Sequence, residues 1–212
     1  MNQLNLSEFR VLKVEENEQK DLKFTVEAIT PIVSCPECGN EDCYKHAPME
    51  RFVRDLNMFN QRVGIIVQGN RYKCKQCSKT FTEQFHSIDD RDKITLRLKD
   101  HIKELSLKEP FSRIADIYAI SPTTVKRIFN EYVEEQERSM IFETPRVLGI
   151  DEVHLNKKMR CVFTDIEKLK ILDMLPKRNK KDVIKFLSKV PDIHKVEVVT
   201  MDMWRPYKDS IA

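Results

Sequence analysis

The amino-acid sequence predicts a multidomain α+β chain built in three parts, because its apolar residues change period twice. Up to about residue 86 they recur at every second position in the stretches that carry them, as in half-buried strands. From residue 88 to about 142 they recur every three to four positions, the stripe of an amphipathic helix. Beyond Pro145 short runs rich in Val, Ile and Leu return, with one helical segment between the last two. The expected boundaries are therefore 1–86, 87–142 and 146–212.

Composition bounds the function classes. The 212 residues are 41% apolar and 33% charged, ordinary values for a globular protein. No apolar run approaches the roughly 20 residues that span a bilayer, and "MNQLNLSEFRVLKVEENEQK" has neither the basic start nor the apolar centre of an export signal. A cytoplasmic location is expected. A net charge of +3 does not by itself announce a nucleic-acid binder, but the basic residues cluster in "RYKCKQCSKTF" and "KRNKK".

In the first part, residues 9 to 30 read as a hairpin. Leu12 and Val14 alternate with charges, a polar turn follows, and Phe24, Val26 and Ala28 alternate again. A second extended stretch, "QRVGIIVQGNRYKC", places Val63, Ile65 and Val67 on one face. These strands deliver the chain to two cysteine pairs, "CPECG" and "CKQC", which hold four of the six cysteines. In a reducing compartment such pairs bind metal more often than they form disulfides. Cys35, Cys38, Cys74 and Cys77 are the candidate ligands of one zinc ion, with four sulfurs at about 2.3 Å closing a tetrahedral shell. A closed shell supplies folding energy, not catalysis. Cys43 and His46 lie close to the first pair but are not needed, since two pairs fill the shell. Cys161 sits in an apolar run and reads as a small buried hydrophobe. Arg71, Lys73, Lys75 and Lys79, interleaved with Tyr72 and Phe81, suit either phosphate contacts or a solvated face.

In the second part, Ile94, Leu98, Ile102 and Leu105 form one helical stripe, and Ser87 with Asp90 three residues on is a start signal. Two helical segments follow almost without a gap, "FSRIADIYA" and "SPTTVKRIFNEYVEEQERS". Ile114 and Ala115 face inward from the first, Ile120 fills the corner, and Ser121 with Pro122 forms an N-cap and first-turn signature. At about 100° per residue, Val125, Ile128, Phe129 and Tyr132 share the buried direction, and Thr123, Arg127 and Asn130 fall opposite. This is the layout of a helix-turn-helix, whose second helix reads bases from its amino end. Arginine pairs with guanine and asparagine with adenine. Thr124 and Lys126 flank that face and suit phosphates. The expected partner is double-stranded DNA, and the bland alternative is a helical hairpin that only packs.

In the third part, "RVLGIDEVHL", "MRCVFTDI" and "KLKILDML" read as three antiparallel strands, "NKKDVIKFLSKV" as a crossover helix and "VEVVTMDMW" as a fourth strand. Asp151 and Asp202 each follow an apolar run and are expected at strand ends. Two carboxylates side by side suit a pair of divalent ions about 3.5–4 Å apart that act on a phosphodiester, and magnesium favours such oxygen ligands. Strand-end aspartates are, however, commonplace.

The ordered set of "CPECG", "RYKCKQCSKTF", the helix-turn-helix, "GIDE" and "DMWRPY" resembles the bacterial DDE-type insertion-sequence transposases of the ISL-three group over nearly the whole chain. The resemblance implies a zinc ribbon, a helix-turn-helix and the first part of an RNase H-like domain. It also implies magnesium-dependent cutting and joining of DNA at the terminal inverted repeats of a transposon. By motif, Asp151 takes the first acidic position and Asp202 the second. The family's third acid, a glutamate, lies well downstream of the second, and no residue of this chain matches it. Glu152, Asp165 and Asp173 lie on the early strands. The expectation is a truncated chain with an incomplete catalytic site, which binds DNA without cutting it and is less stable over 146–212 than over 1–140. Trp204, Arg205, Pro206 and Tyr207 are expected to begin a helix beside the site, with Arg205 either near a phosphate or solvated. A zinc-ribbon and helix-turn-helix transcription regulator is the alternative from another class. A nuclease completed by a partner subunit is a third reading, and homo-oligomerisation is left open.

Overall fold

A computed structural model describes residues 4–30, 33–139 and 143–202, which divide into two compact units, Met1–Arg138 and Ser139–Ala212. The first unit holds both the β-rich part and the helices.

Strands β1 (Phe9–Glu16) and β2 (Leu22–Ala28) form the expected antiparallel hairpin. The side chain of Asn17 closes its turn, accepting from the backbone N–H of Gln19 and of Asp21 at 3.0 and 2.7 Å. Leu12 and Val14 are not buried, being 47% and 42% exposed. β1 bulges between Val11 and Lys13, leaving Leu12 unpaired, and Val14, although opposite Phe24, stays half-exposed on this edge strand, so the core takes Phe9 and, in part, Val11. A long antiparallel hairpin then pairs β3 (Cys43–Met58) with β4 (Gln61–Cys74), and β2 lies parallel to β4. Val63, Ile65 and Val67 of β4 are buried with Phe24, Val26 and Val53. The 16-residue β3 was not evident from its sequence, because charged residues and Pro48 interrupt the alternation. A short β5 (Thr80–Thr82) pairs with β4.

The helical part begins later than its start signal suggests. Ser87 and Asp90 do not cap a helix; two short strands, β6 (Ile88–Asp89) and β7 (Ile94–Thr95), pair with each other first. The turn between them closes on Lys93, whose φ is +53°. Helix α1 (Leu96–Leu105) starts at the N-cap Thr95, whose hydroxyl accepts from Leu98 N at 3.3 Å. That hydroxyl also donates to the buried Asp55 of β3 at 2.6 Å, and Arg97 Nε donates to the same oxygen at 2.8 Å. Together with the β3–β7 pairing, these bonds fasten the helices to the sheet. Helices α2 (Phe111–Tyr118) and α3 (Pro122–Ser139) complete a core of Ile94, Leu98, Ile102, Ile114, Val125 and Ile128.

In the second unit, β8 (Val147–Leu155), β9 (Lys158–Asp165) and β10 (Lys170–Leu175) are antiparallel neighbours. Helix α4 (Lys180–Leu187) follows, capped by Asn179, whose side chain accepts from Asp182 N at 2.9 Å. The chain returns as β11 (Val198–Met201), parallel to β8, giving the order β10-β9-β8-β11. Leu148, Ile150, Cys161 and Phe163 of the sheet are buried with Val183 and Phe186 of α4, and the rings of Phe163 and Phe186 stack with centroids 3.9 Å apart. The architecture is mixed α+β, as the sequence predicts. Among the described residues no helix is long and apolar enough to cross a membrane.

Candidate functional site

The cysteine cluster follows from strand register. Cys43, at the start of β3, lies opposite Cys74, at the end of β4, so the β3–β4 hairpin carries the two knuckles 35–38 and 74–77 to the same place. Each knuckle is a tight turn. Gly39 N donates to Cys35 O at 2.8 Å with Gly39 at φ +71°, and Cys74 N donates to Lys79 O at 2.9 Å with Ser78 at φ +58°. The four sulfurs lie within 4.8 Å of one another, with Cys35–Cys77 at 3.5 Å and Cys38–Cys74 at 3.6 Å. A tetrahedron with metal–sulfur bonds of about 2.3 Å has edges of about 3.8 Å, so the cluster fits one structural zinc ion.

The knuckle backbone prepares the charge. Cys74 is pulled down to about 6, chiefly by the backbone N–H of Cys77 with help from that of Gln76, against desolvation. Cys38 feels the backbone N–H of Asn40 in the lowering direction, but desolvation and the neighbouring thiols outweigh it and push the group up to about 12. In the metal-free cluster one thiol ionises early and another keeps its proton. Cys43 stands outside the cluster and donates to Asn40 O at 3.4 Å. His46 is not part of it either. Of the basic residues near the second knuckle, Lys75 pairs with Asp42 at 2.7 Å, and the rings of Tyr72 and Phe81 stack at 6.0 Å.

The corner between α2 and α3 is tight. Ala119 takes the left-handed conformation at φ +50°, Ile120 N donates to Ala115 O at 3.1 Å, and Ser121 Oγ accepts from Thr124 N at 3.0 Å. Val125 and Ile128 are buried, and Phe129 packs on Phe111 with ring centroids 5.3 Å apart. Thr123, Lys126 and Asn130 are exposed, and Thr124 is half-buried with its hydroxyl 2.9 Å from that of Ser121. Arg127 departs from the outward face that the helical wheel assigns to it. Its side chain is 29% exposed and turns to the fully buried carboxylate of Asp92, with Glu131 at 3.2 Å on its other side. Lys99 lies 3.8 Å from Asp92 and 3.6 Å from Glu131. A wheel drawn for one helix does not contain Asp92, which comes from the β6–β7 turn.

Asp151 is not at a strand end, since β8 runs on through it to Leu155 and pairs it with Val162. Asp202 does directly follow the last residue of β11. Met201 lies opposite Ile150 in the parallel pair, so the next step of the register sets Asp202 beside Asp151 on strands about 4.8 Å apart. Ile150 points into the α4 side, and Asp151 therefore projects from the opposite face. Both aspartates are exposed and line an open groove of about 610 Å³ with Gly149, Thr164, Thr200 and Met201. Asp151 Oδ1 accepts from Glu152 N at 2.7 Å. The other early carboxylates have local partners. Glu152 pairs with Arg178 at 2.5 Å, Asp165 caps the β9–β10 turn through Glu167 N and Lys168 N, and Asp173 accepts from Met174 N at 2.6 Å. Trp204, Arg205, Pro206 and Tyr207 lie outside the described residues.

A four-cysteine ribbon that fits zinc, joined to a helix-turn-helix and followed by a sheet with aligned carboxylates, is a layout suited to binding DNA. Comparison with known proteins specifies the family. Residues 32–77 match the zinc-finger of transposase IS204/IS1001/IS1096/IS1165, residues 83–133 match the helix-turn-helix domain of transposase family ISL3, and residues 148–212 match the ISL3 DDE transposase domain. The chain is also 22% identical over 200 residues to the transposase for insertion sequence element IS1001 of Bordetella parapertussis, covering 92% of this chain and 49% of that protein. It thus spans about half the length of the curated relative it matches. The chain belongs to the ISL3 family of transposases.

Proposed function

We propose that residues 1–212 bind the terminal inverted repeats of an insertion element as part of a DNA transposition reaction. The observation that carries this reading is the exposed polar face at the amino end of α3, with Thr123, Lys126 and Asn130 turned to solvent on a helix tied through Arg127 to Asp92 of the β6–β7 turn. Asn130 suits an adenine edge, while Thr124 and Lys126 suit the adjoining phosphates. Arg127 contributes to the same interface mainly by holding α3 in place. The zinc ion has a folding role, held by Cys35, Cys38, Cys74 and Cys77.

Asp151 and Asp202 are proposed as two of the acidic ligands of the catalytic magnesium. The parallel register that sets them side by side on the open face of the sheet supports this assignment. Magnesium bound there would activate an oxygen nucleophile and steady the leaving oxygen of the phosphodiester. The two carboxylates supply the charge and the alignment; by themselves they are too few for a working site. The test uses duplexes carrying the inverted repeats that bracket the coding sequence. Footprinting should show a protected segment inside the repeat, and Asn130→Ala should relax preference at one base pair by roughly 1–3 kcal/mol. No magnesium-dependent nicking should accompany binding. Protection with no sequence preference would defeat the specificity claim, and robust nicking by residues 1–212 would defeat the claim about the carboxylates.

A further inference from the structure

We propose that the groove between β3 and the amino end of α3 seats one phosphate of the DNA backbone, gripped by Arg54 and Lys93. The inference rests on the DNA-binding reading above and adds a contact from the sheet. It begins with a glycine. Gly64 of β4 lies opposite Arg54 in the β3–β4 pair, and a Cβ there would come within 2.7 Å of Phe52 Cζ. Its absence lets the Phe52 ring lie down on the outer face of the sheet, where it stays 45% exposed. The Arg54 guanidinium sits over that ring, 4.8 Å from the centroid. An aromatic platform of this kind fixes a guanidinium without neutralising it.

The groove has a volume of about 510 Å³, and its far wall carries Ser121 and Thr124, the first polar residues of the 18-residue α3. Arg51 is paired with Asp90, and the fully buried carboxylate of Asp92 with Arg127. The exposed Glu50, bonded to the neutral amide of Gln68 at 2.9 Å, keeps its negative charge and leaves the groove with an excess of one positive charge. Among the described residues neither Arg54 nor Lys93 lies within ion-pair distance of a carboxylate, and Asp21 attracts Arg54 only from further off. Lys93 is exposed, and its backbone C=O accepts from Arg54 N at 2.9 Å, so the two cations share one corner. Two cations without a direct ion pair beside the base-reading end of a helix suit a phosphodiester, and the helix dipole has the same sign of attraction.

The experiment measures the salt dependence of binding by zinc-loaded residues 1–212, using a terminal-repeat duplex and a shuffled duplex of equal length. Arg54→Gln and Lys93→Asn should each lower the slope of log affinity against log salt by about 1 on both duplexes, and Arg54→Lys should restore it. Zinc content and thermal unfolding identify folded variants. If Arg54→Gln fails to fold, Lys93→Asn, in an exposed turn, carries the test alone. Folded variants with the wild-type slope overturn the phosphate seat and leave the DNA-binding reading standing. A wild-type chain that binds neither duplex overturns both.

Discussion

Arg127, on the helix expected to read DNA, closes an ion pair with Asp92, a carboxylate buried in the turn between two short strands of the ribbon sheet. The pair ties the orientation of α3 to the sheet that carries the cysteine cluster. Removing the guanidinium would leave the Asp92 charge buried with only Lys99, 3.8 Å away, to offset it. Breaking a buried pair costs roughly 3–5 kcal/mol, and the 29% exposure of Arg127 lowers the expectation for Arg127→Ala to about 1–3 kcal/mol. In urea unfolding, Arg127→Ala combined with Asp92→Asn should cost less than the sum of the single changes. Strict additivity would show that the pair carries no coupling.

Zinc should bind with release of protons. In the metal-free cluster Cys74 ionises near pH 6 while Cys38 holds its proton up to about 12, so at pH 7 the metal must displace at least the proton on Cys38. Protons therefore compete with zinc, and affinity should fall as pH falls. Calorimetric titration in two buffers of different ionisation enthalpy measures the release. Cys74→Ser should lose tight zinc binding and, with it, the cooperative unfolding of the first unit.

Gly149 lies on the same face of β8 as Asp151. A Cβ at this position would meet the Thr164 hydroxyl and come within 2.7 Å of Ile166 Cδ1. Overpacking of this sort costs roughly 1–3 kcal/mol, so Gly149→Ala should destabilise the second unit and leave the first untouched. Hydrogen exchange resolved by residue separates the two. Equal losses of protection in both units would contradict the assignment.

The paired aspartates predict a local metal response. Manganese(II), a paramagnetic substitute for magnesium, should broaden amide signals of residues 149–152 and 200–202 before any others. Asp151→Asn or Asp202→Asn should suppress that broadening. Broadening that survives both substitutions would place the ion elsewhere.

Much of this was legible in the sequence, and the failures have local causes. The two C-x-x-C pairs and the Ser121–Pro122 helix start declare themselves through a few adjacent residues, and the structure brings all four sulfurs together and starts α3 where the signature lies. Leu12 sits in a bulge and Val14 on an edge strand, so the alternation of β1 does not translate into burial at either position. Ser87 and Asp90 misled because Ile94 serves the helical core from a strand, so an apolar stripe ran past the true cap at Thr95. β3 was hidden by Pro48 and its charges. Arg127 could not be placed by a helical wheel, since its partner Asp92 is remote in sequence. Asp151 looks terminal because the unbroken apolar run stops at Ile150, while Val153 and Leu155 continue by alternation and the pairing of β8 with β9 carries the strand on to Leu155.

Specific recognition of transposon-end DNA is proposed for the helix-turn-helix beside the cysteine cluster. Fluorescence anisotropy of zinc-loaded residues 1–212 against the terminal-repeat duplex and a shuffled duplex, repeated at several salt concentrations, tests it most directly. Binding to the repeat should be tighter at every salt concentration, with both affinities falling as salt rises and the preference for the repeat lost in Asn130→Ala. Equal affinity for the two duplexes, or binding that survives zinc removal unchanged, would contradict it.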